Sequence, residues 1–204
     1  TGENTGGMGA YAPAPLVTPD LLARITTEIL EPTIAGLRSR GIDYRGVLYA
    51  GLMITPEQEP KVIEFNCRFG DPETQVILPL LATPLLDVIL ACIHQHLADC
   101  PLQWRSGTAA TVVIAAPGYP GPYPKGSPIT GTAAAEANGA IVFHAGTQLE
   151  GQSLVTSGGR VLTVTALGDT FDQSFNKAYQ AIQAIDFEGM YYRRDIGYQV
   201  RTQI

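Results

Sequence analysis

Apolar residues between positions 19 and 40 recur at every third or fourth position, the spacing typical of an amphipathic helix. Thr18 is a good N-cap residue and Pro19 suits the first helical position, so the helix is predicted to start there. Pro32 should bend or restart the helix, because a proline inside a helix removes one backbone hydrogen bond. Residues 83–97 are apolar on nearly every side, which predicts a second helix that is buried.

Two runs rich in apolar and β-branched residues, 47–54 and 61–69, flank a short polar segment. This arrangement predicts an antiparallel β-hairpin with residues 55–60 as its turn. The first fifteen residues combine glycines, alanines and two prolines, and they are predicted to be loop.

The second half of the chain has a different pattern, in which short strands are separated by glycine turns. Strands are predicted at residues 108–116, 140–143, 153–156 and 161–166. An amphipathic helix at residues 171–185 should pack on a sheet formed from about Ser106 onward. The change of pattern predicts a first domain of residues 1–99 and a second of residues 100–204. The mixture of helices with an antiparallel hairpin predicts an α+β fold.

Composition and charge exclude several classes of protein. The 204 residues carry a net charge of −6, which disfavours a general nucleic-acid binder. No apolar stretch approaches the roughly 18 residues that a membrane-spanning helix needs. The three cysteines are an odd number without disulfide-like spacing, so we expect a reducing, cytoplasmic location.

The chain begins with Thr1 and with residues patterned like a functional loop, so we expect a C-terminal piece of a longer protein.

A row of polar residues in the second hairpin strand is the strongest local indication of chemistry. Glu64, Asn66 and Arg68 occupy alternate positions and would share one face of a strand. Side chains spaced roughly 6–7 Å apart suit oxygen ligands converging on a hard cation such as Mg²⁺, with a nucleotide phosphate completing its shell. An arginine can hold a phosphoryl or carboxylate oxygen in bidentate fashion. The alternative is an edge strand with one solvated face, but the acids Asp71 and Glu73 directly after the row favour the functional interpretation.

The glycine-rich start of the chain, residues 1–9, is a second candidate site. Its glycines let backbone N–H groups approach an anion closely. The segment is not a Walker loop, because it lacks the Lys-Ser/Thr pair, and no strand precedes it as a dinucleotide-binding fingerprint requires. Judged by itself, a flexible terminal linker is the better interpretation.

Longer motifs run along the whole chain in a fixed order. They are NTGGMGAY (4–11), LYAGLM (48–53), KVIEFNCRFGDPETQ (61–75), GYPG (118–121), FHAGT (143–147), GGRVL (158–162) and YRRDIG (192–197). In this order they closely resemble the phosphoribosylamine–glycine ligase family of the ATP-grasp superfamily. The resemblance implies that residues 1–99 are the C-terminal part of an ATP-grasp domain and that a small mixed α/β C-terminal domain follows. The family's N-terminal half, with the phosphoribosylamine-binding domain and most of the adenine pocket, has no counterpart here.

The resemblance also implies roles for individual residues. Glu64 and Asn66 match metal-binding positions for Mg²⁺ or Mn²⁺, and Arg68 matches the superfamily's catalytic, phosphate-contacting arginine. Further substrate- or phosphate-binding residues are expected at Asn4, Thr5, Gly6, Gly7, Asp71, Glu73 and Arg193. Many ATP-grasp enzymes carry a second metal-binding acid on the preceding strand. Residues 47–54 contain none, so a second metal would need Asp71 or Glu73.

The reaction implied by the resemblance is the ATP-dependent ligation of glycine to 5-phosphoribosylamine through a glycyl phosphate. Its product would be glycinamide ribonucleotide, in de novo purine biosynthesis. The partners would be these small molecules and the missing N-terminal half of the same enzyme, without nucleic acid or membrane. Two alternatives stay open: another ATP-grasp carboxylate–amine ligase, and an inactive fragment. Because the family's N-terminal half is missing, we expect the 204-residue chain to make no glycinamide ribonucleotide by itself.

Overall fold

The computed structural model describes residues 3–202, which contain both helices and antiparallel sheets. The strands are β1 (Gly9–Ala12), β2 (Tyr49–Ile54), β3 (Pro60–Asn66), β4 (Thr108–Ala115), β5 (Ile141–His144), β6 (Thr147–Glu150), β7 (Ser153–Thr156) and β8 (Arg160–Gly168). The helices are α1 (Pro19–Ile25), α2 (Glu31–Ser39), α3 (Thr74–Leu80), α4 (Leu85–Ile93), α5 (Thr132–Ala137) and α6 (Phe171–Ile182). These elements confirm the predicted α+β class.

Two short helical turns complete the described part of the chain, a π-helical turn at Thr26–Leu30 and a 3₁₀ turn at Leu97–Asp99. Thr1 and Gly2, the start of the predicted glycine-rich segment, lie outside the described residues. Within residues 3–202 no helix has the length and apolar character needed to cross a bilayer.

The chain forms two compact units that do not follow a single cut in the sequence. The sheet unit comprises the described parts of Thr1–Pro13, Asp71–Ala82 and Trp104–Ile204. The hairpin unit comprises Ala14–Gly70 and Thr83–Gln103. The domain division predicted at residue 99 stays a prediction.

The sheet unit is built on a four-stranded antiparallel sheet in the order β1-β4-β8-β5. Every residue of β4 is buried, and most of them are the small or β-branched side chains that pack well inside a sheet. The register aligns Thr111 with Thr165, and their hydroxyl groups form a hydrogen bond of 2.6 Å within the core. This pairing lets two polar side chains be buried without an unsatisfied hydroxyl group.

Helix α6 packs against β4 and β8, as the amphipathic pattern predicts. Thr170 caps its N-terminus, where the threonine hydroxyl accepts a hydrogen bond of 3.3 Å from the N–H of Gln173. Phe175 and Ile182, on the apolar side of the helix, are fully buried. Burial of large apolar side chains such as these stabilises the unit by about 1.5–3 kcal/mol each.

One strand of this sheet comes from the segment that was predicted to be loop. Strand β1 pairs antiparallel with β4. The prediction was wrong because glycine and alanine have little strand propensity, and it is the hydrogen-bonding edge of β4 that holds the segment extended. Gly9 fits because a Cβ there would lie 2.6 Å from Ile196 Cγ2 and 2.8 Å from the Thr111 carbonyl oxygen. The sheet is therefore not made only of residues after Ser106.

The hairpin unit begins with helices that start and restart where the sequence predicts. The hydroxyl of Thr18 accepts a hydrogen bond of 3.2 Å from the N–H of Leu21 at the start of α1. Pro32 falls in the first turn of α2, so the helix continues through the π-helical turn and restarts at Glu31. Beyond α2, Gly41 has a φ of 73°, the left-handed conformation that commonly ends a helix.

Helix α4 is exposed, which contradicts the predicted burial of this segment. Its side chains are as apolar as expected, but none of them is buried, and Leu86 is 64% exposed. Strand β3 likewise leaves Ile63 64% exposed. The prediction was wrong because an apolar composition favours burial of a helix but does not show that these 204 residues contain the surface against which it packs.

Candidate functional site

The polar row lies on the hairpin of β2 and β3, whose antiparallel pairing is confirmed. Glu64 is opposite Gly51 and Asn66 is opposite Tyr49, with no register shift between these two pairs. Glu64 and Asn66 therefore project from the same face of the hairpin, as alternation along a strand requires. The absence of a side chain at Gly51 matters here, because a Cβ at this position would lie 3.1 Å from Glu64 Cγ.

A β-bulge interrupts the hairpin directly beside Glu64. Leu52 pairs with Val62, which leaves Ile63 as an extra residue in β3. A bulge bends the strand and changes the direction of neighbouring side chains, and bulges are frequent next to functional sites. The regular alternation of the polar row consequently begins at Glu64 and does not extend back to the turn.

Arg68 lies beyond the strand, contrary to the prediction that the row continues through it. Strand β3 ends at Asn66, and the next two residues form a bend. The alternation of side chains along β3 therefore does not determine the direction of the Arg68 side chain. Its Nη1 donates a hydrogen bond of 2.9 Å to the carbonyl oxygen of Phe69. A guanidinium group has five N–H donors, more than this bond uses. The phosphate-contacting role of Arg68 stays a prediction.

Glu64 and Asn66 together present a carboxylate oxygen and an amide oxygen, both of which are ligands for hard cations. Mg²⁺ sites commonly use one or two protein oxygens and take the remaining ligands from water and nucleotide phosphates. Among residues 3–202 no group of three or more His, Cys, Asp or Glu side chains could hold a metal ion. The donor set therefore fits a Mg²⁺ or Mn²⁺ ion shared with a nucleotide, and does not fit a cage made of protein ligands alone.

A second cluster lies in the sheet unit, around Arg160 at the start of β8. Arg160 Nη1 donates hydrogen bonds to the carbonyl oxygens of Gly7, at 3.2 Å, and of Asp71, at 2.9 Å. Arg160 Nη2 donates to Asp71 Oδ2 at 2.8 Å, and Gln75 Nε2 donates to Asp71 Oδ1 at 2.8 Å. Both carboxylate oxygens of Asp71 thus accept a hydrogen bond from a protein group, which fixes the orientation of the carboxylate.

The glycine-rich loop packs tightly against this cluster. The N–H of Gly6 donates a hydrogen bond of 3.0 Å to the hydroxyl oxygen of Tyr119. A Cβ at Gly6 would lie 3.0 Å from Arg160 Cζ, and a Cβ at Gly7 would lie 2.4 Å from Pro72 Cδ. Gly7 has no room for a side chain, and a Cβ at Gly6 would force the Arg160 side chain to shift, so glycine suits the close approach. This packing favours an ordered loop over the linker interpretation.

The other predicted site residues have varied surroundings. Asn4 and Thr5 are exposed, and the carbonyl oxygen of Glu73 accepts hydrogen bonds from the first turn of α3. Arg193 donates two hydrogen bonds to Asp195, of 2.8 and 2.6 Å. These bonds raise the pKa of the Arg193 guanidinium and lower the pKa of the Asp195 carboxyl group. The substrate- and phosphate-binding roles of these residues stay predictions.

Arg160 and Tyr119 were not predicted as site residues. Both lie in motifs that carry the family resemblance, but neither motif has the acidic or phosphate-loop pattern that signals chemistry. The contact at Gly159, where a Cβ would lie 2.3 Å from Tyr119 Cδ2, appears only in the structure.

Two protein-family models match the chain. The model described as "Phosphoribosylglycinamide synthetase, ATP-grasp (A) domain" matches residues 1–74. The model described as "Phosphoribosylglycinamide synthetase, C domain" matches residues 109–199. The chain belongs to the phosphoribosylglycinamide synthetase family. Members of this family carry the name phosphoribosylamine–glycine ligase, so the resemblance seen in the sequence motifs is confirmed.

Relatives within the phosphoribosylglycinamide synthetase family are similar along nearly the entire chain. The phosphoribosylamine–glycine ligase of Nostoc sp. is 65% identical over 204 residues, which is 99% of this chain and 48% of the relative. The trifunctional purine biosynthetic protein adenosine-3 of Gallus gallus is 53% identical over 199 residues, 97% of this chain and 20% of the relative. The chain therefore spans about half the length of the ligases that it matches.

Solved structures confirm the fold. The crystal structure of phosphoribosylamine–glycine ligase from Thermotoga maritima aligns with a TM-score of 0.82 at 36% identity, covering 96% of this chain and 47% of that chain. N5-carboxyaminoimidazole ribonucleotide synthetase from the same organism aligns with a TM-score of 0.58 at 18% identity, covering 88% of this chain and 45% of that chain. The second likeness concerns the fold alone.

Proposed function

We propose that this chain is the C-terminal half of a phosphoribosylamine–glycine ligase, and that the complete enzyme joins glycine to 5-phosphoribosylamine with the use of ATP. The observation that carries the proposal is the 65% identity to the Nostoc ligase across 99% of this chain. The common face of Glu64 and Asn66 supports it, because such a pair suits an ion that is shared with ATP.

The proposed reaction has two steps. A carboxylate oxygen of glycine attacks the γ-phosphorus of ATP, the bond to the β–γ bridging oxygen breaks, and ADP leaves, which gives glycyl phosphate. The amine of 5-phosphoribosylamine then attacks the acyl carbon, phosphate leaves, and the nitrogen loses a proton to give glycinamide ribonucleotide. Neither step needs a covalent intermediate with the enzyme.

Three residues of the hairpin unit would serve the first step. Glu64 and Asn66 would hold one Mg²⁺ or Mn²⁺ ion, which when bound supplies positive charge against the β- and γ-phosphates. Arg68 would bind the transferred phosphoryl group and offset the charge that develops on it. We propose one metal rather than two, because residues 47–54 carry no second acid beside Glu64.

The glycine-rich loop and the segment after the hairpin would bind substrates. Asn4, Thr5, Gly6, Gly7 and Arg193 would contact a phosphate or carboxylate group of a substrate. Asp71 and Glu73 would accept hydrogen bonds from substrate groups that act as donors. Binding groups of this kind lower the barrier by fixing reactants in a reactive orientation.

We propose that the N-terminal half of the enzyme is the partner of this chain and covers the exposed apolar surface of the hairpin unit. The chain accounts for only 48% of the Nostoc ligase. Leu86 and Ile93 of α4 and Ile63 of β3 are apolar side chains exposed by about half or more. Exposed apolar surface is typical of interfaces.

We also propose a cytoplasmic location for the enzyme. All three cysteines are free thiols, which agrees with it.

Product analysis tests the proposal. The chain, joined to or mixed with its N-terminal half, is incubated with ATP, glycine and 5-phosphoribosylamine, and we expect glycinamide ribonucleotide, ADP and phosphate in equal amounts. The 204-residue chain alone is expected to form none. ADP formation that responds to another carboxylate and not to glycine would favour a different ATP-grasp ligase. The absence of ATP turnover by the complete protein would favour the inactive fragment.

A further inference from the structure

Arg160 is the charged residue of the GGRVL motif, and the proposed mechanism gives it no role. It begins β8, and its side chain is 24% exposed. Its guanidinium group donates to the carbonyl oxygens of Gly7 and Asp71, at 3.2 and 2.9 Å, and to Asp71 Oδ2 at 2.8 Å. All of these acceptors lie in two segments that the proposed function assigns to substrate binding, the glycine loop (residues 4–7) and the acidic loop (residues 71–73).

We propose that Arg160 is a positioning residue of the ligase, which holds the glycine loop and the acidic loop in one fixed arrangement. It does so by binding Gly7 and Asp71 at the same time, and it acts on substrates only through these two loops. The inference rests on the proposed function, because that function supplies the substrates that the loops would bind.

The chemistry of arginine suits this role, and that of lysine does not. The planar guanidinium group of Arg160 directs Nη1 to two carbonyl oxygens while Nη2 binds the carboxylate of Asp71. A lysine carries its charge on one nitrogen at the end of a flexible stem, so it cannot fix the same acceptors in one plane. A conservative Arg160→Lys change therefore keeps the charge and removes the geometry.

The residue before Arg160 supports the same loop through a different contact. The ring of Tyr119 lies against Gly159, where a Cβ would be 2.3 Å from Tyr119 Cδ2. The hydroxyl of Tyr119 accepts the N–H of Gly6 at 3.0 Å. Tyr119, which packs on Gly159, thus binds Gly6, while Arg160 binds the next residue, Gly7. Two supports on adjacent residues fix both the position and the orientation of the loop, which a single surface ion pair could not do.

The first test measures amide hydrogen exchange in the complete protein that carries this chain. In Arg160→Lys, exchange at residues 6–12 and 75–77 is expected to rise about tenfold or more, because hydrogen bonds to a charged group are lost. Exchange in β5 and α6, which form no ladder with β1, should not change. Arg24→Lys is the matched control, since Arg24 also forms an ion pair, with Glu28, but on the surface of the hairpin unit. Unchanged exchange in both loops, or an increase throughout the protein, would overturn the proposal.

The second test measures steady-state kinetics of the same variants. Arg160→Lys is expected to lower kcat/KM by about 10²-fold, because displaced binding groups cost catalysis heavily. Adding Asp71→Asn to Arg160→Lys should lower it less than about threefold further, because both changes disrupt one arrangement. Effects that multiply in the double variant would mean that Arg160 and Asp71 act independently, which contradicts a positioning role exerted through Asp71.

The two tests also separate this inference from the proposed function. If the unaltered complete protein makes no glycinamide ribonucleotide, the proposed function fails, and the exchange measurement still decides whether Arg160 fixes the two loops. If that protein is active and the kinetics and exchange of Arg160→Lys match those of Arg24→Lys, the inference alone fails.

Discussion

Arg160 and Asp71 form an ion pair of 2.8 Å across 89 positions of sequence. The side chains are 24% and 45% exposed, so water and salt screen the pair less than a fully exposed one. The pair joins the first residue of β8 to the loop that precedes α3, and the same guanidinium group reaches Gly7. A contact between two residues thereby sets the relative position of three separate segments of the sheet unit.

Replacement of Gly7 should disturb the glycine loop. In Gly7→Ala the new methyl group would lie 2.4 Å from Pro72 Cδ, so the loop must move. We expect kcat/KM of the complete enzyme to fall by at least about tenfold, because a small displacement of binding groups has a large effect on rate.

The matched control for Gly7→Ala is a glycine without close neighbours. Gly36, inside α2, has nothing within 4 Å of its would-be Cβ. Gly36→Ala should raise the free energy of unfolding by about 0.5–1 kcal/mol, because alanine favours a helix, and should leave kcat/KM unchanged. Equal activity of the two variants in the same assay would show that the contact between Gly7 and Pro72 is dispensable.

The buried hydroxyl pair in the sheet unit gives a prediction about stability. In Thr111→Val the hydroxyl of Thr165 loses its 2.6 Å partner inside the core, which should lower the free energy of unfolding by about 1–3 kcal/mol. The double change Thr111→Val with Thr165→Val should cost clearly less than the sum of the single changes, because no hydroxyl is then left unpaired. Urea unfolding of all four proteins gives the coupling energy. Additive costs would show that the two hydroxyl groups act independently.

The exposed apolar helix should be needed for association with the N-terminal half. Leu86 of α4 is 64% exposed, and Leu86→Glu would bring a charge into the proposed interface. We expect the Kd between the two halves to rise at least about tenfold, since burying an unpaired charge is costly. Leu149→Glu is the control, because Leu149 in β6 is 72% exposed and belongs to the sheet unit. Equal binding by both variants, measured by titration calorimetry, would place the interface elsewhere.

Local patterns in the sequence account for the elements that were predicted well. The hairpin follows from two β-rich runs around a polar turn, and the start of α1 follows from the cap at Thr18. Strand β1 was missed because its extended form depends on the edge of β4, about a hundred residues away. Helix α3 was missed because the Asp-Pro-Glu segment before it reads as a turn.

The residues of the candidate site also differ in whether local sequence patterns predict their positions. Glu64 and Asn66 could be placed together because strand alternation is a local rule that their register obeys. Arg68 could not, because no local rule says where a strand ends, and β3 ends before it. The contact between Arg160 and Asp71 has no counterpart in local pattern, since it arises only when β8 is aligned in the sheet.

Removal of the charge at Glu64 gives the sharpest test of the metal site in the complete enzyme. Glu64→Gln keeps the size of the side chain and removes the charge that would bind the cation, whereas Asn66→Ala removes a neutral ligand. We expect Glu64→Gln to lower kcat by at least about 10²-fold and to have the larger effect, because a hard cation beside phosphates depends on carboxylate charge. Part of the loss should return at high Mg²⁺.

A Mg²⁺ titration of kcat separates this role from that of Arg68. Arg68→Lys keeps a positive charge and loses the bidentate fork, so its loss of activity should not respond to Mg²⁺. The two hairpin residues should respond, because excess Mg²⁺ refills a weakened site by mass action. Near-normal activity of Glu64→Gln at low Mg²⁺ would show that the face shared by Glu64 and Asn66 is scaffold, and the proposed function would then rest on family membership alone.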